Sequence, residues 1–197
     1  MDNITAEQAA KDAKGLNFEL VWAALMENKR QMKESQQETQ KHLQVLKTEL
    51  SKSIGGLGNS LGRLTESMFS AELCRKFNEL GYPFNTQANY KKFYEDRQVI
   101  AEVDSVLENG EYVMLVEIKT DLSVSDVNDH LERISTIRKY MDTHGDNRKL
   151  VGAVAGGIVS ENVLKYAQKK GFYVLVQTGE AIAVADMPPG FKAQEWC

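Results

Sequence analysis

Cysteine is almost missing from this chain: Cys74 and Cys197 are the only two in 197 residues, far apart and without metal-ligand spacing. That excludes a disulfide framework and is the usage expected of a reducing cytoplasm. Long apolar runs are missing too. No stretch approaches the roughly 20 residues that span a bilayer, and the polar N-terminus lacks a signal-peptide core, so no membrane partner is expected. An excess of basic residues is also lacking, since 24 Lys and Arg stand against 28 Asp and Glu for a net charge of -4. Broad, non-specific adhesion to nucleic acid is therefore not expected, although Arg75-Lys76, Lys91-Lys92 and Lys169-Lys170 offer local basic pairs. What remains is ordinary: 42% hydrophobic and 26% charged residues suit one core plus an appendage.

Proline is scarce, with Pro83, Pro188 and Pro189 the only three. The stretch from Leu16 to Ile54 has none and is rich in Glu, Lys and Gln, so it reads as one long helix; a shorter helix is expected over residues 6–13. Leu43, Leu50, Leu57 and Leu64 repeat every seventh residue, with Ile54, Leu61 and Met68 in the complementary positions. That is a coiled-coil seam, weakened upstream where Gln and Lys hold the same positions, and it points to a homo-oligomer. The alternative is a solvated arm folded on its own domain. Gly55, Gly56, Gly58 and Gly62 mark either a linker or a kinked, continuous helix, and the second is favoured because Gly55, Gly58 and Gly62 share a side with Glu66, Phe69, Leu73, Phe77 and Leu80. The expected division is an arm over residues 1–54 and a domain over residues 55–197.

The centre of that domain is Val99 to Thr120, two β-branched runs flanking Asn109-Gly110. Such a dipeptide predicts a two-residue type I′ turn. The register would then set Glu108 against Glu111, Leu107 against Tyr112, Asp104 against Leu115 and Glu102 against Glu117. One face would carry Val99, Ala101, Val103, Ser105 and Leu107 with Tyr112, Met114, Val116 and Ile118. The other would carry Glu102, Asp104, Glu117 and Lys119. Facing carboxylates repel, so something must compensate them. Asp104 and Glu117 as diagonal neighbours can converge on one hard divalent cation such as Mg²⁺, and Lys119 points the same way. Those parts bind a phosphodiester, orient a water and stabilise developing negative charge.

Asp104, a hairpin, then Glu117-Ile118-Lys119 resembles the PD-(D/E)XK nuclease superfamily, with Ala101-Glu102-Val103-Asp104 similar to the acidic second strand of its resolvase-like members. Val103 stands where many members have proline. The resemblance covers about Leu61 to Thr178. It implies that Asp104 and Glu117 bind Mg²⁺ or Mn²⁺ and that Lys119 assists the attacking water. It also implies that Glu66, in line with an apolar helix face, matches the acid that many members direct at the metal from their first helix. Read without the family, Glu66 closes a local network with Arg63 or a backbone amide.

The rest of the chain fits an α/β fold with a restriction-endonuclease-like αβββαβ core, a central mixed sheet flanked by helices and preceded by the long helix. Gly81 ends that helix and Tyr82-Pro83 prevents its continuation. A first strand is expected between Phe84 and Gln98, where Tyr90, Phe93 and Tyr94 lie among Lys91, Lys92, Glu95, Asp96 and Arg97. Ser123 or Ser125 caps a helix to about Thr143, buried through Val127, Leu131, Ile134, Ile137 and Met141, with His130 as a hydrogen-bonded core residue. Lys149 to Val159 reads as a buried strand, Glu161 to Lys170 as a helix, and Phe172 to Gln177 and Ala181 to Ala185 as strands. Ala155-Gly156-Gly157 lacks a phosphate-loop ending. The expected function is a metal-dependent nuclease on nucleic acid, DNA before RNA, in the cytoplasm. A catalytically inactive nuclease fold used for binding or assembly is the alternative.

Overall fold

The computed structural model describes residues 18–179 and 181–197; the helix expected over residues 6–13 lies outside them. The chain divides between Gly56 and Leu57 into two units. One helix, α1 (Phe18–Glu79), runs through that point without interruption, so the glycines neither end nor replace it. In the first unit every described residue is exposed. Its ion pairs are local, such as Arg30 with Glu27 at 2.6 Å and with Glu34 at 2.8 Å, and pairs of that kind stabilise a helix by only about 0.2–0.5 kcal/mol each.

The second unit is α/β. Its strands are β1 (Thr86–Glu95), β2 (Gln98–Glu108), β3 (Tyr112–Leu122), β4 (Lys149–Val159), β5 (Tyr173–Thr178), β6 (Ala181–Val184) and β7 (Glu195–Trp196). Helix α2 (Val124–Thr143) joins β3 to β4 and α3 (Glu161–Lys169) joins β4 to β5. The sheet is mixed and seven-stranded in the order β1-β2-β3-β4-β5-β6, with β7 also pairing β4. β3, β4 and β5 are parallel, each crossover carrying a helix, and the rest pair antiparallel. β4 is buried on both faces, which is why its sequence is a nearly continuous run of small apolar residues. At Gly152 a Cβ would come within 2.3 Å of the Phe172 ring, so glycine is what lets that ring lie on the strand. β7, too short to leave a sequence signal, pairs Leu150 with Trp196 on β4.

Two layers cover the sheet. Phe69, Leu73 and Phe77 of α1 pack on Leu107, Met114, Val116 and Ile118. Val127, Ile134, Ile137 and Met141 of α2 pack on Val106, Val113, Leu115 and Val154. α1 stops at Gly81, whose φ of 94° is the left-handed conformation glycine tolerates. There the Tyr82 N–H donates to the Phe77 carbonyl at 3.0 Å. α2 starts at Ser123, whose hydroxyl and the Asp126 carboxylate satisfy each other's backbone in a capping box. Leu80, expected on the buried face, is 36% exposed because the helix has already ended.

The hairpin departs from its expected register. Glu108 pairs with Val113 and Ser105 with Val116, two residues further along β3 than a two-residue turn would give. The cause is Asn109, whose side-chain oxygen accepts the N–H of Glu111 at 2.8 Å and of Tyr112 at 2.7 Å, building a four-residue loop. Gly110 is not in the left-handed region. The tight turn is instead Asp96-Arg97, at φ 48° and 68° between Glu95 and Gln98. The face assignment also changes. Ala101 and Val103 lie in the α2-side core with Val106, whereas Leu107, Met114, Val116 and Ile118 lie in the α1-side core. The strand pair β1-β2 therefore reverses its faces around Asp104, beside Tyr90, a residue held at φ 55°.

Candidate active site

β3 runs through the middle of the sheet, paired on both sides. Glu117 follows Leu115 by two residues, so it emerges on the α2 side, and Lys119 follows by two more. The β2-β3 pairing extends as far as Ser105 and Val116. Just beyond it, the Asp104 carboxylate takes the place of a backbone partner: its Oδ2 accepts the Ile118 N–H at 2.7 Å. The side chain thereby bridges the two strands and is drawn to within the field of Glu117. Burial first, and then the negative charge of Glu117, push the Asp104 carboxyl up to about 6; the Ile118 N–H and the Lys119 charge oppose that rise, and Glu66 adds slightly to it.

Glu117 is 3% exposed, and a buried carboxylate needs partners. Both oxygens have them. Lys119 Nζ lies 2.6 Å from Oε1, and Arg133 Nη1 of α2 donates to Oε2. Burial works against the Lys119 charge, but the hydrogen bond to Glu117 and the fields of Glu117 and Asp104 hold its pKa above the ordinary value. His130, fully buried on the same helix, has Nε2 3.1 Å from the Leu115 carbonyl oxygen. Its Nδ1 has no hydrogen-bond partner and lies 3.9 Å from Glu117 Oε2. Burial lowers the imidazole pKa to about 4, against the pull of Glu117, so it is neutral at pH 7. A neutral ring donating from Nε2 presents only a lone pair at Nδ1.

Glu66 belongs to α1 and reaches the site's edge. Its Oε2 accepts the Tyr90 hydroxyl at 2.7 Å, a bond that raises the tyrosine pKa. Tyr90 is 52% exposed. Its positive φ is uncommon for an aromatic residue and is the local cost of turning the strand there. Nearby, the Thr65 and Thr120 hydroxyls approach to 3.4 Å, linking α1 to the end of β3. Glu102 does not face Glu117 as the expected register would have it. It pairs with Lys92 on β1, where Lys92 Nζ lies 3.3 Å from its carboxylate in solvent. Two of the basic pairs are likewise engaged locally, Lys91 with Glu108 at 2.5 Å and Arg75 with Glu79 at 2.6 Å.

The structure thus gathers Asp104, Glu117 and Lys119, sets Glu66 at the margin, and adds Arg133, His130 and Tyr90. Arg133 carried one sequence signal, its place three residues after His130 on the same helix face. The sequence marks Tyr90 only as an aromatic among basic residues, since nothing local announces its conformation. The carboxylate oxygens are the hard donors that Mg²⁺ or Mn²⁺ takes. Yet among the described residues no three His, Cys, Asp or Glu side chains are gathered closely enough to hold a metal ion. Glu117 is held instead by Lys119 and Arg133, and Glu66 by Tyr90. The donor types are those a divalent cation takes, while both oxygens of Glu117 carry a cationic partner.

No family model matches the chain, and no curated protein matches it. Among solved structures it is similar to the small subunit of the heterodimeric restriction endonuclease R.BspD6I, at 13% sequence identity and a TM-score of 0.33. The similarity covers 55% of this chain and 61% of that one, less than two thirds of the subunit's length. A likeness of that size carries no residue and no role across. No described helix is long and apolar enough to cross a membrane.

Proposed function

We propose that the second unit is a metal-dependent nuclease of the PD-(D/E)XK kind, with DNA as its substrate, and that α1 joins copies of the chain through its leucine seam, which begins in the first unit and continues past Leu57. The single observation that supports the nuclease reading is the meeting of Asp104, Glu117 and Lys119 at the end of the β2-β3 ladder. Nothing in the packing requires two carboxylates there. A sheet built for stability alone gains by keeping such groups apart, because the field of Glu117 already disfavours ionisation of Asp104.

In this reading Asp104 and Glu117 hold Mg²⁺ or Mn²⁺, with Glu66 completing or adjusting the site. Such an ion, once bound, neutralises phosphate charge and lowers the pKa of a water. The protein's own groups do the rest. The Ile118 N–H fixes Asp104 at 2.7 Å and so orients its remaining oxygen. Lys119, 37% exposed at its side chain, reaches solvent where a phosphodiester would lie, orients the attacking water and stabilises the charge that develops. Tyr90 holds Glu66.

The arm reading rests on exposure: Leu43, Leu50, Leu57 and Leu64 are 57–72% exposed at seven-residue spacing, with Ile54, Leu61 and Met68 beside them at 38–60%. A second function reading, a fold retained for binding or assembly, is favoured by the pairing of Glu117 with two cations. Cleavage assays on duplex, branched and single-stranded DNA with Mg²⁺ or Mn²⁺ decide between them. Asp104→Ala and Lys119→Ala should each lower turnover at least about 100-fold with an unchanged circular dichroism spectrum, and chelation by EDTA should abolish it. Turnover unaffected by either substitution would reject the site, and no cleavage under any of these conditions would favour the assembly role.

A further inference from the structure

Arg133 is the charged partner of Glu117 that, among the described residues, comes from outside the hairpin. We propose that Arg133 is an internal competitor of the divalent cation at this site: its guanidinium holds Glu117 in the cation-free state and has to leave Oε2 when a cation binds. The inference rests on the metal-dependent reading above and says what sets the affinity of that site.

Three observations carry it. Glu117 is 3% exposed, so little water reaches its oxygens and a cation approaching Oε2 meets the Arg133 guanidinium already there. Lys119 sits on the same strand two residues along, and the strand itself sets it against Oε1. Arg133 reaches from α2, and its side chain, 25% exposed, has solvent into which it can withdraw on its long stem. The third is His130. With Nε2 on the Leu115 carbonyl, its unpartnered Nδ1 presents a lone pair 3.9 Å from the very oxygen that Arg133 holds. When Arg133 leaves, two buried acceptors face each other and neither can supply a proton to the other. Both are donor atoms that a divalent cation would take. Mn²⁺ is the suitable probe, because it accepts carboxylate oxygen and its affinity for nitrogen exceeds that of Mg²⁺.

Charge bookkeeping gives the direction. Glu66, Asp104 and Glu117 stand against Lys119 and Arg133, leaving one net negative charge among them with every carboxylate ionised. Removing Arg133 makes the cluster more negative and frees Oε2, so a cation should bind more tightly.

Calorimetric titration of Mn²⁺ into the full chain tests this with Arg133→Gln and Arg133→Met, the latter keeping the packing of the stem, and Arg133→Lys as the charge-conserving control. Both neutral variants are expected to bind Mn²⁺ about tenfold more tightly, the weight of one charge-assisted hydrogen bond, while Arg133→Lys stays near the parent. Thermal unfolding confirms which variants are folded, and one folded neutral variant suffices. If the parent binds Mn²⁺ and the neutral variants bind it equally or more weakly, the competitor role is wrong and the metal site stands. If neither the parent nor any folded variant binds Mn²⁺, alone or with an uncleaved DNA present, the metal reading fails and takes this inference with it.

Discussion

Leu50 and Leu73 stand on the same helix, one 62% exposed and the other fully buried. Both belong to regular apolar stripes. Leu50 repeats with Leu43, Leu57 and Leu64 every seventh residue, and Leu73 with Phe69 and Phe77 every fourth. The second stripe is covered by the sheet of its own unit; the first is covered by nothing among the described residues of this chain. Periodicity declares that a helix face is apolar. It does not declare whether the covering surface comes from the same chain. The glycines do not mark the change either, because they lie within an unbroken helix and a Cβ at Gly55, Gly56, Gly58 or Gly62 would meet nothing within 4 Å.

The contrast is broken most strongly from the arm side. Leu43→Lys with Leu50→Lys should cost self-association roughly 3–6 kcal/mol, two leucines left unburied, and leave the intrinsic stability of the second unit within about 0.5 kcal/mol. Sedimentation should show loss of the oligomer and denaturation an unmoved main transition; an unchanged sedimentation coefficient would mean the seam has no partner. From the other side, Phe77→Ala removes a fully buried ring that meets Phe84 and Tyr173 edge-on. It should destabilise the second unit by about 3–5 kcal/mol, read by urea denaturation, without changing association of whatever remains folded.

A finer comparison lies within the second unit, between its core and its site. The folded Asp104 carboxyl titrates near 6, above its ordinary value of 3.8, so the native state binds that proton more tightly than the unfolded chain. Its contribution is fully present below about pH 4 and is lost as pH rises through about 6. Asp104→Asn keeps an acceptor for Ile118 and removes the loss. The variant should match the parent near pH 4 and exceed it by about 1–2 kcal/mol at pH 7 without metal. His130 has the opposite sign: with its pKa lowered to about 4, its contribution is present above the ordinary imidazole range and is lost as pH falls towards 4. The two slopes oppose each other in the parent between pH 4 and 6, so Asp104→Asn should show stability rising with pH there. The smallest effect expected is that of Ser123→Ala, which breaks the capping box of α2 and should cost about 1 kcal/mol in the same denaturation assay.

Much of this was legible from residues alone because the signals were local and repeated. The end of α1 at Gly81, the cap of α2 at Ser123, the burial of β4 and the core position of His130 all follow from neighbours in sequence. The hairpin register did not. Asn109-Gly110 allowed a two-residue turn, and the choice of a four-residue loop depended on where the Asn109 side chain found its donors. A shift of two residues preserves which side of β3 faces which helix, so Glu117 and Lys119 still emerged together. Glu102 was misplaced because β2 reverses its faces at Asp104. That reversal is tied to the conformation of Tyr90 on a neighbouring strand, which no period of two can foresee. Arg133 escaped notice for a similar reason: one arginine on an amphipathic helix is ordinary until its partner on another element is known.

The end of the β2-β3 pairing at Ser105 and Val116 has a consequence for hydrogen exchange. On one side of it, β3 is tied to β4 from Tyr112 to Leu122, and those amides should open only with the whole unit. On the other, the ribbon from Lys91 to Val103 is laddered chiefly to itself and held by packing such as Phe93 against Tyr140. Its amides should exchange through smaller, faster openings. Asp104 sits at the junction and Glu117 on the slow side, so deuterium should enter one wall of the site well before the other.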